Sequence, residues 1–343
     1  MGQPKIRNME EFAAISGISR PTVSKYFNDP DSVRASTRQK IEKALEQHDY
    51  RPNVFAMNQN RRTTKNIGVV VPNLADPFFS EIGRRVELAC IDAGYSPILL
   101  SSHGSPDMER ENLNSLRSLK PAGVLLAPFG RISDKDAVRA FDEDFPMVLF
   151  DANIDGIGQA FFGTDNTQSI DLMVEYLCRS GEPPCFFEIR NAANPNANKR
   201  RQAYIESMDR HGQEAHIFQA EGQGWNFEEI GCAEGARLLA ANAFKTDTVL
   251  CSNDRIAIGL LSAAYGLDLR VGHGADCQLR IAGHDDHPFS RFTCPPLTTI
   301  AQDYEAIANR AVRTLFGMLE NEDRLSRREE TTFDGRLIMR DSA

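Results

Sequence analysis

Apolar residues recur at two different periods along the chain, and the change of period divides it. In the first fifty residues they come in triples spaced i, i+3, i+4: Met9, Phe12 and Ala13, then Val23, Tyr26 and Phe27, then Ile41, Ala44 and Leu45. Each triple makes one apolar stripe, so three short amphipathic helices are expected. Ser16-Gly17-Ile18-Ser19 joins the first two. Gly17 suits a left-handed turn, Ile18 a plug into the core, and Ser19 the N-cap of the second helix. Ser36 followed by Gln39 resembles a capping box opening the third.

From Asn66 onward short β-rich runs alternate with helical stretches. The runs are IGVVV (67–71), SPILL (96–100), GVLLA (123–127) and MVLF (147–150), separated by helices near 77–93, 107–119 and 134–142. The rhythm then repeats with CFFEI (185–189), AHIF (215–218), TVLC (248–251) and LRIAG (279–283). This is the pattern of parallel sheets covered on both faces. Two doubly wound lobes in tandem imply a cleft, with ligands beyond the carboxyl ends of the strands.

Charge follows the same division. The net charge of −9 conceals a basic head: residues 1–65 hold twelve Lys/Arg against seven Asp/Glu, a net +5, leaving 27 against 41, a net −14, for the remainder. Phosphates would repel the acidic body and attract the head. Hydrophobic residues make up 41% of the chain, enough for a sizeable core. No apolar run approaches the ~18 residues that span a bilayer. The polar start, Met1 to Glu11, has no signal-peptide core, so a cytoplasmic protein is expected. The seven cysteines (90, 178, 185, 232, 251, 277 and 294) form no CxxC and read as reduced thiols.

The second helix of the head points to a function. With Val23, Tyr26 and Phe27 inward, its outer face presents Arg20, Pro21, Thr22, Ser24 and Lys25. Two cations and small hydroxyls near a helix N-terminus suit a recognition helix in the major groove. The plain alternative is a three-helix bundle with a solvated face. The stretch from Met9 to Asn53, with SGISRPTVSKYFN, TRQKIEKAL and YRPN in order, closely resembles the DNA-binding head of LacI-family repressors. The resemblance implies DNA contacts at Ser19, Arg20, Pro21, Thr22, Ser24, Lys25, Asn28, Tyr50 and Asn53. It also implies a hinge helix over Pro52–Arg61 that enters the minor groove through Phe55, Ala56 and residue 59. There the family usually has a leucine that wedges a base step open, and this sequence has Gln59.

The body shares the resemblance: NIGVVVPNLADPFFSEI, SNDRIAIGLL, GHDD and PPLTTIAQDY look like the family's periplasmic-binding-protein-type sensor. The implied architecture is an all-α helix-turn-helix domain (1–51), a hinge helix and linker (52–65) and an α/β ligand-sensing domain (66–343) of two doubly wound parallel-sheet lobes. The lobes are expected at about 66–162 plus 294–321 and about 163–290 plus 328–343, with crossings near 162–164, 290–294 and 321–328. The resemblance implies a ligand site of Asp76, Phe78, Phe79, Asp151, Arg200, Trp225, Asn253, Asp285, Gln302 and Tyr304. Carboxylates, amides and a guanidinium can grip vicinal hydroxyls while aromatic faces cover C–H surfaces. Acidic and amide groups outnumber cations, which favours a neutral polyhydroxy ligand. Each residue also has a plainer reading. Asp76 before Pro77 suits an N-cap, one of the two phenylalanines suits the core, Arg200 sits in a Lys-Arg-Arg run typical of a solvated helix, and Trp225 suits a half-buried aromatic.

The expected function is a ligand-responsive transcriptional repressor, not an enzyme. It would bind a palindromic operator as a homodimer and be released by a sugar, polyol or related metabolite. No cofactor and no membrane partner are expected. The sequence lacks GxxxxGK[ST], HExxH and GxSxG, the motifs of phosphate-binding, zinc and nucleophile-elbow enzymes. HDDH (284–287) has the residue types of a metal site, yet it overlaps the implied ligand aspartate. No heptad tail follows GRLIM, which favours a dimer over a tail-assembled tetramer. A corepressor or a protein partner in place of an inducing sugar is the alternative.

Overall fold

The computed structural model describes residues 6–28, 30–48, 50, 64–190, 196–222, 224–321 and 327–343. The chain forms two compact units, Met1–Thr64 and Lys65–Ala343. The first holds helices α1 (Met9–Ser16), α2 (Arg20–Asn28) and α3 (Ala35–His48). Phe12, Ala13, Val23, Ile41 and Ala44 are buried together, with Met9, Ile18, Tyr26, Phe27 and Leu45 packed at their edge. The three apolar stripes are therefore this unit's core. Gly17 ends α1 at φ 65°, a conformation that glycine adopts without strain. The Ser19 carbonyl accepts the N–H groups of Thr22 and Val23, while its hydroxyl meets that of Thr22 at 2.8 Å. One expectation shifts. The Arg34 carbonyl accepts from the N–H groups of Thr37 and Arg38, so α3 starts at Ala35. Ser36 lies inside the first turn and is not its cap.

The second unit begins with β1 (Asn66–Val71), α4 (Pro77–Asp92), β2 (Ser96–Ser101), α5 (Pro106–Ser118), β3 (Gly123–Leu126), α6 (Lys135–Asp144), β4 (Met147–Phe150) and β5 (Ala160–Thr164). It continues through α7 (Asn166–Ser180), β6 (Cys185–Ile189), α8 (Asn196–Arg210), β7 (Ile217–Ala220), α9 (Phe227–Ala240), β8 (Thr248–Cys251), α10 (Asp254–Gly266) and β9 (Arg280–Ala282). The last elements are β10 (Thr299–Ala301), α11 (Tyr304–Asn321), β11 (Glu329–Phe333) and β12 (Arg336–Ile338). One sheet runs β11-β5-β4-β3-β1-β2 and another β7-β6-β8-β9, all parallel.

Both faces of each sheet are dry, as continuous apolar strands require. Along β1, Ile67, Val69 and Val71 join one buried cluster with α4 and α11. Val70 joins another with Leu113 and Leu116 of α5 and Phe141 of α6. In the second lobe Phe187, Val249 and Ile281 face α9 and α10. Phe186 and Leu250 face α7 and α8, through residues such as Met173, Leu177 and Tyr204.

Two of the three expected crossings fall elsewhere. The chain leaves the first lobe after Thr164, as expected. It returns at about residues 302–304, because β10 still belongs to the second lobe: Ala282 bridges Thr298, and β10 pairs with β12. It crosses again between β11, which pairs with β5, and β12. The strand expected at 215–218 lies at Ile217–Ala220. The strands β5, β10, β11 and β12 escaped the expected pattern altogether.

Candidate functional site

Two surfaces carry candidate chemistry, one in each unit. On α2 the side chains of Arg20, Pro21 and Lys25 are exposed, and those of Thr22 and Ser24 partly so. Val23 beneath them is fully buried, which fixes the rotation of the helix. Arg20 is 62% exposed and touches Glu10 at 2.6 Å, a surface pair that costs little to exchange for another anion. Tyr50 is placed differently from the expectation. It is only 7% exposed and stacks on Phe12 at 4.8 Å, so its ring belongs to the core of the head. The expected contacts at Asn53, Phe55, Ala56 and Gln59, and the side chain of Asn28, lie outside the described residues.

In the second unit the carboxyl ends of the parallel strands converge on one cleft. Asp76 follows β1, Asp151 follows β4, Asn253 follows β8, Asp285 follows β9 and Gln302 follows β10. These five, with Phe78, Phe79 and Arg200, line a narrow cleft between the lobes. Eight of the ten expected residues thus meet there. Phe227 and Arg255 complete the lining, and the sequence reading missed both. Each sits in the first turn of its helix, where a motif shows only an ordinary aromatic or an ordinary surface cation.

The local structure explains how each group is held. Asp76 Oδ1 accepts the Phe78 N–H at 3.0 Å and caps α4, so the same carboxyl caps the helix and lines the cleft. Arg200 is no surface cation: it is 2% exposed. It donates Nε–H to Asn166 (2.9 Å), Nη1–H to the Ser252 carbonyl (2.8 Å) and Nη2–H to Asp285 Oδ1 (2.9 Å). The same Oδ1 accepts from Gln302 Nε2 at 2.7 Å and lies 3.0 Å from His284 Nδ1. Gln302 also accepts from the Thr164 hydroxyl, which ties the first crossing to the second. Asp151 Oδ1 accepts from Asn196 Nδ2 at 2.8 Å. Asp151 and Asp285 have φ of 63° and 127°, strained values that a non-glycine residue keeps only where its surroundings enforce them.

Tyr304 and Trp225 stand behind the lining. The Tyr304 hydroxyl donates to the Asp285 carbonyl, and its ring meets Phe78 edge-on at 5.3 Å. Trp225 is 6% exposed and packs on Phe79 at 6.0 Å and Phe227 at 5.3 Å. It is thus more deeply buried than the half-buried aromatic of the plain reading and lies behind the cleft wall.

Electrostatics sets the three carboxyls apart. Burial pushes Asp151 up to about 7, against the pull of Arg200 and Lys199. Burial also raises Asp76 to about 6, although Arg255 opposes it. Asp285 is buried too, but Arg200 and His284 more than offset that and hold it below the usual carboxylate range. Desolvation lowers His284 to about 4, so its imidazole is neutral near pH 7. The HDDH run does not converge as a metal site: His284 turns to Asp285, Asp286 pairs with Arg340 at 2.7 Å, and the His287 N–H goes to Asp254. Among the described residues no group of three or more His, Cys, Asp and Glu is placed to hold a metal ion.

Comparison with known proteins matches both units. Residues 8–53 match the bacterial regulatory proteins of the lacI family, and residues 184–343 match a periplasmic binding protein-like domain. The chain is 28% identical over 340 residues to the HTH-type transcriptional repressor PurR of Mannheimia succiniciproducens, covering 97% of this chain and 98% of that protein. It is 27% identical over 309 residues to the ribose operon repressor of Escherichia coli strain K12, covering 90% and 91%. The lac repressor dimer bound to operator and the anti-inducer ONPF shares the fold, with a TM-score of 0.82 at 23% identity over 98% of this chain and 99% of that one. The chain thus joins a helix-turn-helix domain of the lacI family of bacterial regulatory proteins to a periplasmic binding protein-like α/β domain.

Proposed function

We propose that this chain is a cytoplasmic transcriptional repressor that binds a palindromic operator as a homodimer and leaves it when a small uncharged sugar or polyol enters the cleft. The observation that carries the reading is the convergence of Asp76, Asp151, Asn253, Asp285 and Gln302 on one cleft in a chain whose head displays Arg20, Pro21 and Lys25 on an exposed helix face. A dimer would present two copies of α2 to half-sites about one helical turn, ~34 Å, apart. Relatives named as a repressor of the ribose operon and as PurR support a regulator whose effector is a small metabolite. The cleft groups serve binding, and we assign none of them a catalytic role.

The cleft chemistry argues for an uncharged effector. Three carboxyls line it against two guanidinium groups, and both guanidiniums already hold carboxylates. Hydroxyl groups can donate to Asp151 and Asp285 without disturbing those pairs. Effector and operator then change each other's affinity by one common factor. The test is to select an operator with the full-length protein and then titrate the complex with uncharged pentoses, hexoses and polyols. Release by at least one of them is expected. Tighter binding would mark a corepressor, and no response to the whole series would leave a protein partner as the better reading. In the hinge, Gln59 in place of a leucine leads us to propose weak kinking; strong bending equal to that of Gln59→Leu in a gel-phasing assay would refute it.

A further inference from the structure

Arg255 lines the cleft but belongs to none of the positions from which an effector site was expected. It sits one residue into α10, and close helix packing brings it to its partners. A Cβ on Gly259 would lie 2.3 Å from the Glu228 carbonyl, and one on Gly231 would lie 2.6 Å from that of Ile256. Only glycines let α9 and α10 touch there. As a result Arg255 Nε–H reaches Glu228 Oε1 at 2.7 Å and Nη2–H reaches Glu228 Oε2 at 2.6 Å. The second Nη2–H goes to the Trp225 carbonyl at 2.7 Å. One Nη1–H crosses to the other lobe and meets Asp76 Oδ2 at 3.1 Å. The guanidinium plane lies over Phe227 at 4.9 Å. A guanidinium has five N–H donors, so four are engaged and one is left for a ligand.

Trp225 makes a second contact between the lobes beside the first. Its indole lies against Phe79 of α4 and fills the place that a side chain at residue 104 would need. A Cβ on Gly104 would come within 2.5 Å of the indole Cδ1 and Nε1. The Arg255–Asp76 pair and the Trp225–Gly104 contact therefore close the same side of the cleft. Arg255 links them, because it binds the Trp225 backbone and the Asp76 carboxylate with the same guanidinium.

We propose that Arg255 is a positioning residue that fastens the two lobes at the cleft and thereby joins effector recognition to lobe closure. It holds Asp76 of the first lobe at the cleft wall and seats Trp225 of the second lobe on Gly104. Any effector that binds Asp76 acts on a group that is also a fastening of the lobes. A phosphate or carboxylate effector finds only that one N–H unless it draws Arg255 away from Asp76, which would leave a largely buried carboxylate without its partner and is unfavourable. An uncharged polyol needs only the remaining N–H and the free carboxyl lone pairs. This inference rests on the reading of the cleft as the effector site.

The sole tryptophan of the chain reports on the fastening directly, with no effector added. The experiment is acrylamide quenching of tryptophan emission in the full-length protein, with circular dichroism as a check on folding. Arg255→Gln and Asp76→Asn are each expected to raise the quenching constant about threefold or more, as closed molecules give way to open ones. Asparagine at 76 keeps an oxygen for the Phe78 N–H, so that variant preserves the α4 cap and carries the test if Arg255→Gln does not fold. The double variant is expected to be no more quenched than either single one, since both remove the same tie. Wild-type quenching in Asp76→Asn, or additive effects in the double variant, would overturn the proposal. Failure of uncharged sugars to alter operator binding would count against the effector reading alone and would leave the quenching result unaffected.

Discussion

The head and the cleft use arginine in opposite ways. Arg20 stands 62% exposed with one surface carboxylate beside it, while Arg200 is buried with an amide, a carbonyl and a carboxylate fixed around it. The head holds the donors of α2 at its surface in a pair that is easily exchanged, within reach of a large, highly charged partner. The cleft instead satisfies its polar groups internally, so a small ligand meets a wall already set in position. Function is therefore separable from stability in the head and entangled with it in the cleft.

Arg200→Met tests that contrast most severely. It leaves Asp285 buried without its cation and should cost about 3–5 kcal/mol in the unfolding of the second unit, measured by denaturant titration. Loss of less than about 1 kcal/mol would mean that the cleft is no more built-in than the head.

Asp151→Asn probes the same wall through pH. The carboxyl of Asp151 is raised from 3.8 to about 7 in the folded protein, so the unfolded chain ionises first as pH rises. Its contribution to stability is complete below about pH 4 and is lost progressively as pH rises through about 7. Asp76, Glu109 and Asp254 are raised as well, so the informative quantity is the difference between wild type and Asp151→Asn. That difference should shift by about 4 kcal/mol between pH 4 and 8, with the wild type losing ground. A flat difference would show that Asp151 carries no burden of burial.

Arg20→Ala should change stability by less than about 0.5 kcal/mol while weakening the selected operator by about 1–3 kcal/mol and relaxing its preference at one base pair. Unchanged sequence selection would remove α2 from the reading role. Smallest of all is Tyr50→Phe, which keeps the ring stacked on Phe12. Operator affinity should stay within about twofold, whereas loss of a hydrogen bond to DNA would cost about 1 kcal/mol.

The two regions were also unequally legible in the sequence. The head is local: its helices and its outward face lie within about fifty residues, and side-chain spacing alone places Val23 inward and Arg20 outward. The cleft was legible only through the family's motifs, as at Asp151, Asn253 and Asp285, each of which stands just after a strand. Arg255 and Phe227 were not, because their roles depend on two helices approaching through Gly231 and Gly259, which spacing within one helix does not reveal. Tyr50 failed for the reverse reason: a residue at the end of a DNA-binding segment is also free to fold back on Phe12. The crossings near 302–304 and 333–336 were misplaced because strands of three to five residues, such as β10 and β11, are too short to show a period.

The order of the first sheet has a consequence for synthesis. Its edge strand β11 and the helix α11 that covers one face come from residues 304–333, although β1 is made some 240 residues earlier. A ribosome thus releases the complete three-helix head long before either lobe can finish its core, and the cleft cannot exist until Gln302 has emerged. Domains generally fold as units during synthesis, N-terminal first. Every new copy of this chain passes through an interval in which the DNA reader is complete and the sensor is not.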